Sequence, residues 1–365
     1  MPGMIMETAS FTGLIAVVSA FVALLILQPI AGRFRLVDMP NHRKAHKGAV
    51  PLIGGLSAFA GLLVAWLISM PLTEGFGIYL FCALMLVILG AIDDARDIPA
   101  RYRLWAQVLL GALLSYGSGI YLTTFGNLFG FGNIELAWLG PVVTIAAVIG
   151  ATNAYNMIDG IDGLAGTMSL VTLGALAMLF ALADGYHLEL ALAITIGAAL
   201  LPYLGANLQL RPFRRKIFMG DAGSMFIGLA IVWLLTLVTQ PSLQTNESTP
   251  VRPVIVLWFI AVPLMDMLAI MFRRAAKGQS PFKPDRNHLH HIFMRAGFTS
   301  REALLFILSI ALIKALLGIA LELFYVADWI VLSLFVAVFV FYCYLIKHAW
   351  KVVTWVKRHS DKKEG

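Results

Sequence analysis

Charge is what this chain has least of. Of its 365 residues only 13% are Asp, Glu, Lys or Arg, while 60% are hydrophobic, and the mean hydropathy is +0.84. A soluble domain normally carries about a quarter of its residues as charges, so that class is excluded and lipid must solvate most of the chain. Cysteine is almost missing. Cys82 and Cys343 both fall within apolar stretches, which excludes a disulfide framework and a thiolate metal site. There is also no repeat of fixed period, no low-complexity tract and no hydrophilic segment of domain size; the longest polar stretch covers 273–302.

What is present in quantity is apolar sequence long enough to cross about 30 Å of hydrocarbon. Such stretches occupy 11–31, 52–70, 76–92, 104–122, 134–152, 163–183, 187–206, 222–239, 254–272, 303–323 and 328–346. They predict an all-α polytopic membrane protein of about eleven transmembrane helices, forming one integral-membrane domain over 1–365. The segment before the first stretch carries Glu7 and no Lys or Arg. A cleaved signal peptide would need a basic start there, so the first helix is expected to be permanent.

Basic residues are nearly absent from one side of this pattern. Alternate connecting segments carry five Lys or Arg in 31–51, three in 93–103, none in 153–163, four in 207–224, seven in 273–302 and six in 347–365; these hold 25 of the 27. Arg252 alone belongs to the opposite set, and Lys314 lies inside the tenth stretch. Retention of Lys and Arg in the cytoplasm then predicts a periplasmic N-terminus, a cytoplasmic C-terminus and a cytoplasmic face carrying these loops. The same rule accounts for the net charge of +7 without nucleic acid, and it suits a neighbour of anionic lipid.

The retained loops hold the polar chemistry. Segment 36–55, LVDMPNHRKAHKGAVPLIGG, joins Arg43, Lys44 and His46 to Pro40, Pro51, Gly54 and Gly55, a shaped turn with more His, Asn and Gly than membrane anchoring requires. Segment 91–103, AIDDARDIPARYR, places three carboxylates within five residues. If helix continues through it, Asp93 and Asp97 share a face and Asp94 is rotated away by about 100°. A solvated acidic turn is one reading; Mg²⁺, or the flanking Arg96, Arg101 and Arg103, is the compensation expected here.

Segment 151–166, ATNAYNMIDGIDGLAG, steps Asn153, Asn156, Asp159 and Asp162 by three residues and contains no Lys or Arg. Its carboxylates must therefore find a metal or another loop, and Gly160 and Gly163 predict a break in the helix. Segment 210–224, LRPFRRKIFMGDAGS, sets Arg211, Arg214, Arg215 and Lys216 before Gly220, Asp221 and Gly223. Asp221 reads either as a helix cap or as a hard-cation ligand, and the helix start is suited to phosphate. Segment 280–297 carries Arg286, His288, His290, His291 and Arg295. Zinc is conceivable for His288 and His291, but hydrogen bonding to phosphate or sugar fits the oxygen-rich surroundings better. Asp266 and Lys314 are charges inside apolar stretches and are candidates for function on that ground.

Taken in order, PNHRKAHKG…PLIGG, IDDARD, NAYNMIDGIDG, FMGDAGS and DRNHLHH resemble the motifs of the polyprenyl-phosphate N-acetylhexosamine-1-phosphate transferase family, from residue 36 to 291. HRKAHKGAVPLIGG and NHLHH are most similar to the WecA-type branch. The resemblance implies transfer of N-acetylglucosamine-1-phosphate from UDP-N-acetylglucosamine to undecaprenyl phosphate. The products would be undecaprenyl-diphospho-N-acetylglucosamine and UMP, with Mg²⁺ or Mn²⁺ required. It implies a bacterial inner membrane, O-antigen or enterobacterial common antigen synthesis, and partners limited to the two substrates, lipid and a homo-oligomer left open.

The resemblance also distributes roles. Asp221 and Asn156 are expected at the metal, and Asp93, Asp94, Asp159 and Asp162 at the catalytic centre. Asp93 is the candidate base for the lipid phosphate, with an orienting or nucleophilic role as alternatives. Asn153, Arg43, Lys44, His46, Arg101, Arg103, Arg286, His288, His290 and His291 are expected to hold substrate. The family's lysine after the paired aspartates is missing; Arg101 and Arg103 stand nearby. Another UDP-N-acetylhexosamine, UDP-MurNAc-pentapeptide, or a transporter of nucleotide or lipid-linked sugars are the competing readings.

Overall fold

The computed structural model describes residues 2–39, 48–240, 251–279 and 288–348. It is a bundle of helices: α1 (Pro2–Ile30), α2 (Gly54–Ser69), α3 (Glu74–Arg96), α4 (Ala100–Ala112), α5 (Gly140–Ile158), α6 (Leu164–Leu182), α7 (His187–Asn207), α8 (Gly220–Thr239), α9 (Pro253–Phe259), α10 (Ala261–Ala275), α11 (Leu289–Arg295), α12 (Ser300–Leu323) and α13 (Asp328–Lys347). The described strand content is one antiparallel pair, β1 (Val37–Asp38) with β2 (Val50–Pro51).

Among the described residues eight helices are long and apolar enough to cross a membrane, or nine if α9 and α10 count as one bent span. The chain is a multi-pass membrane protein. The eleven stretches read from the sequence also include α2, with 16 residues, and α4, with 13 followed by a π-turn over Leu113–Gly117, both short for a crossing. Eleven is therefore a larger number than the helices that meet the length.

The ninth stretch is not one helix. It bends by 86° between α9 and α10. Pro263 has no N–H to give the carbonyl of Phe259 four residues back, and the Thr172 hydroxyl of α6 donates to that carbonyl instead, at 2.9 Å. The break is tolerated in an apolar interior because its freed acceptor is satisfied. Between the bend, α5 and α8 lies a cavity of about 460 Å³, lined almost wholly by apolar side chains. It follows α5 from Ala146 to Tyr155, ending one residue short of Asn156.

The innermost helix is α8, 94% buried over its apolar window. It packs against α2, α3, α5 and α6; the contacts with α2 and α3 combine ring packing, Phe59 on Phe226 and Tyr79 on Trp233, with close backbone approach at glycines. A methyl group at Gly55 would collide with Gly223, and one at Gly90 with Ala222. Small residues are how helices approach this closely where no hydrophobic force drives them together. Buried hydroxyls of Thr152, Ser169, Thr195 and Thr236 donate to their own helix four residues back, so they need no outside partner.

The end of the bundle remote from the polar motifs is fastened by Arg252. Its guanidinium meets Glu322 at 2.9 Å and Asp328 at 2.7 Å, and it also donates to the carbonyls of Leu321 and Val326. This one basic residue on the depleted side is thus held by α12 and α13. Cys82 and Cys343 are free thiols.

Filling a tight helix contact should cost stability. Gly90→Ala is expected to destabilise by about 1–3 kcal/mol, the range for overpacking a tight interior. A lowered unfolding temperature of the detergent-solubilised protein is the measurement; an unchanged one contradicts the packing described.

Candidate active site

Five polar residues from four helices converge on the start of α8. Asp93, in the last turn of α3, is 4% exposed. Its Oδ1 accepts the Ile98 N–H at 2.7 Å and its Oδ2 accepts Arg103 Nη1 at 2.5 Å. The same Arg103 nitrogen, from α4, reaches Asp221 Oδ2 at 3.2 Å. Asn156 of α5 donates Nδ2 to Asp221 Oδ1 at 2.5 Å and to Ser224 Oγ at 3.1 Å. One guanidinium therefore separates two carboxylates that would otherwise repel across the helix boundary.

Asp94 has a different task. Its Oδ1 accepts the backbone N–H of Asp221 at 2.9 Å and its Oδ2 that of Ala222 at 3.4 Å. The helix start expected to cradle phosphate is thus taken by a carboxylate from α3, which satisfies the same orphan donors and the positive end of the dipole. Gly220 allows it: with φ at 76° it adopts a left-handed turn, and a Cβ would sit 2.5 Å from Asp94 Oδ2. The segment entering α8 is pinned to the segment entering α2, because Gly54 and Gly55 N–H groups donate to the carbonyls of Phe218 and Met219. PLIGG and FMGDAGS therefore build one structure.

The helical continuation from Asp93 to Asp97 does not occur. Helix α3 stops at Arg96, Asp97 turns left-handed at φ 53°, and Asp97 N–H closes on the Asp93 carbonyl. Chain reversal at Ile98 and Pro99 is what brings Arg103 back over Asp93. Arg101 is not brought in; it is exposed and meets Tyr102 OH at 3.2 Å.

The other half of the site is the turn between α5 and α6. Helix α5 ends at Ile158, and Gly163 at φ 78° starts α6. Asp162 pairs with Lys216 at 2.6 Å, so the loop without cations borrows one from the basic loop before α8. Asn207 ties the two, accepting the Gly163 N–H at 2.5 Å and donating to the Ile217 carbonyl at 2.8 Å. Asp159 lies between, and burial, aided by Asp94 and Asp162, raises its pKa to about 7. Asn153 faces Gln107 of α4 at 3.2 Å and the Ile149 carbonyl, bracing α4 on α5.

The histidine segment closes over that turn. His290 is 2% exposed, and its ring fills the space where Gly160 has no side chain. Neither of its ring nitrogens has a hydrogen-bond partner among the described residues. Burial first, then the imidazoles of His291 and His288, lowers its pKa to about 3, so the ring is neutral at physiological pH. His291 lies 4.2 Å from it between ring centres. Arg43, Lys44, His46 and Arg286 lie outside the described residues.

Among the described residues no group of three or more His, Cys, Asp or Glu is spaced as a ready metal cage. Mg²⁺ does not need one. It usually keeps several waters and takes one or two carboxylates plus substrate phosphate, a requirement that the Asp221 carboxylate with the adjacent Asn156 amide fits. Ser224, Gln107 and Asn207 are polar partners the motif reading did not single out; Asn207 and Ser224 stand at the two ends of the 207–224 loop, whereas Gln107 lies in none of the polar segments.

A buried carboxylate cluster with cationic loops at one end of a membrane bundle, above an apolar cavity that runs along α5 toward the opposite end, suits an enzyme that handles anionic substrates at a lipid boundary. The chain belongs to glycosyl transferase family 4, whose pattern matches residues 76–239. It is 45% identical, over 93% of its length and 92% of the relative's, to the undecaprenyl-phosphate alpha-N-acetylglucosaminyl 1-phosphate transferase of Yersinia pestis. The enzymes of that name from Escherichia coli K12 and Haemophilus influenzae are each 42% identical, covering 92% and 93% of this chain and 90% and 94% of theirs.

The raised Asp159 pKa carries a sign. Below about 3.8 the carboxyl is neutral folded or unfolded; between there and about 7 only the unfolded chain releases its proton. Stability in metal-free buffer should fall as pH rises across that window. Asp159→Asn should flatten this part of the profile of unfolding temperature against pH, and an unchanged slope contradicts the burial.

Proposed function

We propose that this protein transfers N-acetylglucosamine-1-phosphate from UDP-N-acetylglucosamine to undecaprenyl phosphate, giving undecaprenyl-diphospho-N-acetylglucosamine and UMP. The observation that carries the reading is the convergence of Asp93, Asp94, Arg103, Asn156 and Asp221 at one end of the bundle. The names of relatives more than 40% identical support it. The bundle would make eleven crossings as one domain of the bacterial inner membrane, with the N-terminus outside and the motif end facing the cytoplasm, as the distribution of Lys and Arg favours.

Two phosphorylated substrates must meet, so neutralising charge is the first task. A divalent ion, Mg²⁺ or Mn²⁺, would be held by Asp221 with Asn156 and would supply Lewis-acid polarisation of the diphosphate. Asn156 would serve through its amide oxygen, turned from the orientation in which Nδ2 donates to Asp221. Arg103, held by Asp93, lies where a diphosphate oxygen can take its remaining donors. His288, His290, His291 and Arg286, with Arg43, Lys44 and His46, would bind diphosphate and sugar. The nitrogens of His290, without a partner among the described residues, would be satisfied by a substrate hydroxyl or phosphate.

In the chemical step an oxygen of the lipid phosphate bonds to the β-phosphorus, the bond from that phosphorus to the bridging oxygen breaks, and UMP leaves with that oxygen. A phosphate monoester has its second pKa near 6, so little deprotonation is needed. Asp93 takes the proton of the monoanionic fraction and otherwise keeps Arg103 in place. Asp159 and Asp162 shape the nucleotide side of the pocket. The apolar cavity along α5 accommodates the start of the prenyl chain beside Asn156. A transporter would carry its polar groups near the bilayer centre; the cavity beside the bend is apolar instead.

Purified protein given radiolabelled UDP-N-acetylglucosamine, undecaprenyl phosphate and Mg²⁺ is expected to form lipid-extractable label and UMP; none would refute the reaction. Competition by UDP-N-acetylgalactosamine and UDP-MurNAc-pentapeptide should be weak. Asp221→Asn should lower kcat by about a hundredfold, the scale for losing one group that stabilises developing charge, and should alter the Mg²⁺ dependence. With a chiral-phosphorus donor, single displacement inverts configuration, whereas retention would establish a covalent phospho-aspartate route.

A further inference from the structure

We propose that Asp266 is a positioning residue which, together with Tyr342, fixes the ring orientation and tautomer of His288; this rests on the phosphotransfer reading above. Asp266 sits inside α10 and is 1% exposed. Its Oδ2 lies 2.7 Å from His288 Nδ1, and its Oδ1 accepts the Leu289 N–H at 3.0 Å and the Tyr342 hydroxyl at 2.6 Å. A carboxylate facing Nδ1 places the ring proton there, so Nε2 is the nitrogen that the histidine presents elsewhere.

The arrangement is transmitted along the histidine segment. The rings of His288 and His290 are nearly parallel, 4° apart in plane and 5.8 Å between centres, and His290 rests against Gly160 beside Asp159. The contacts therefore run from Tyr342 in α13 through Asp266 in α10 to His288, His290 and the catalytic turn. A buried ion pair is weak grounds for stability, since hydrophobic replacements of such pairs are often neutral. Three donors on one carboxylate instead specify a single geometry for the residue that opens α11.

The test measures kcat, KM and unfolding temperature for wild type, Asp266→Asn, Tyr342→Phe, His288→Asn and the Asp266→Asn/His288→Asn double variant, in detergent with both substrates. Asp266→Asn should lower kcat at least about tenfold, the scale for losing an outer partner of a functional histidine, with KM for UDP-N-acetylglucosamine nearly unchanged. Added to His288→Asn it should cost no further activity, because its effect runs through that ring. An equal loss with and without His288, or wild-type turnover in Asp266→Asn, overturns the proposal.

Histidine ¹⁵N NMR on the wild type decides independently of activity: the His288 signal, identified by its loss in a His288→Asn variant whose other histidine signals are unmoved, should show a proton on Nδ1. A bare Nδ1 overturns the proposal. Absence of turnover in the wild type would instead refute the reaction and leave the tautomer result to judge the geometry.

Discussion

Everything at the motif end is organised around Asp221. Its backbone N–H is held by Asp94 from α3, and its carboxylate by Arg103 from α4 and Asn156 from α5. Four helices are thus tied to one residue by groups that are useless apart. The arrangement is feasible because α8 is met by α2 and α3 without intervening side chains, at Gly55 and Gly90. Close helix contact and charge neutralisation are one constraint here, since carboxylates separated by a thicker layer of side chains could not share a guanidinium.

The remainder of the bundle follows the physics of lipid as solvent. Hydroxyls fold back onto their own helices, the acceptor freed by Pro263 is recovered by Thr172, and Arg252 at the far end is surrounded by two carboxylates and two carbonyls. A few buried groups lack such arrangements, among them the Trp66, Trp233 and Trp258 indole nitrogens and the Tyr79 hydroxyl, each on a large ring whose burial outweighs one lost hydrogen bond. Carboxylates and cations follow a stricter pattern: Arg252 is matched within the far end, while Asp93, Asp94, Arg103 and Asp221 gather at the motif end.

Much of this was legible in the chain. Apolar runs locate the helices, and the five polar segments contain nearly every residue of the cluster, because membrane proteins confine charge to a few places. Distances between those segments were not legible. Nothing in the periodicity of IDDARD says that α3 ends at Arg96, or that the reversal through Pro99 selects Arg103 and leaves Arg101 in solvent. The bend at Ile260 was hidden for a similar reason: Pro263 announces a missing donor, but whether a helix kinks depends on the hydroxyl that waits 91 residues earlier at Thr172. Gln107 and Tyr342 carry no motif at all, and only contact reveals them.

The capping of α8 by Asp94 also divides labour between two kinds of atom. Main-chain donors are common property of every sequence and cannot be exchanged by mutation, and here they are spent inside the protein. An anion that approaches Asp221 must consequently be met by side chains such as Arg103, not by these two main-chain groups. Loss of the Asp94 carboxylate would release both main-chain donors at once, whereas loss of Arg103 removes one side-chain cation and leaves the helix start capped.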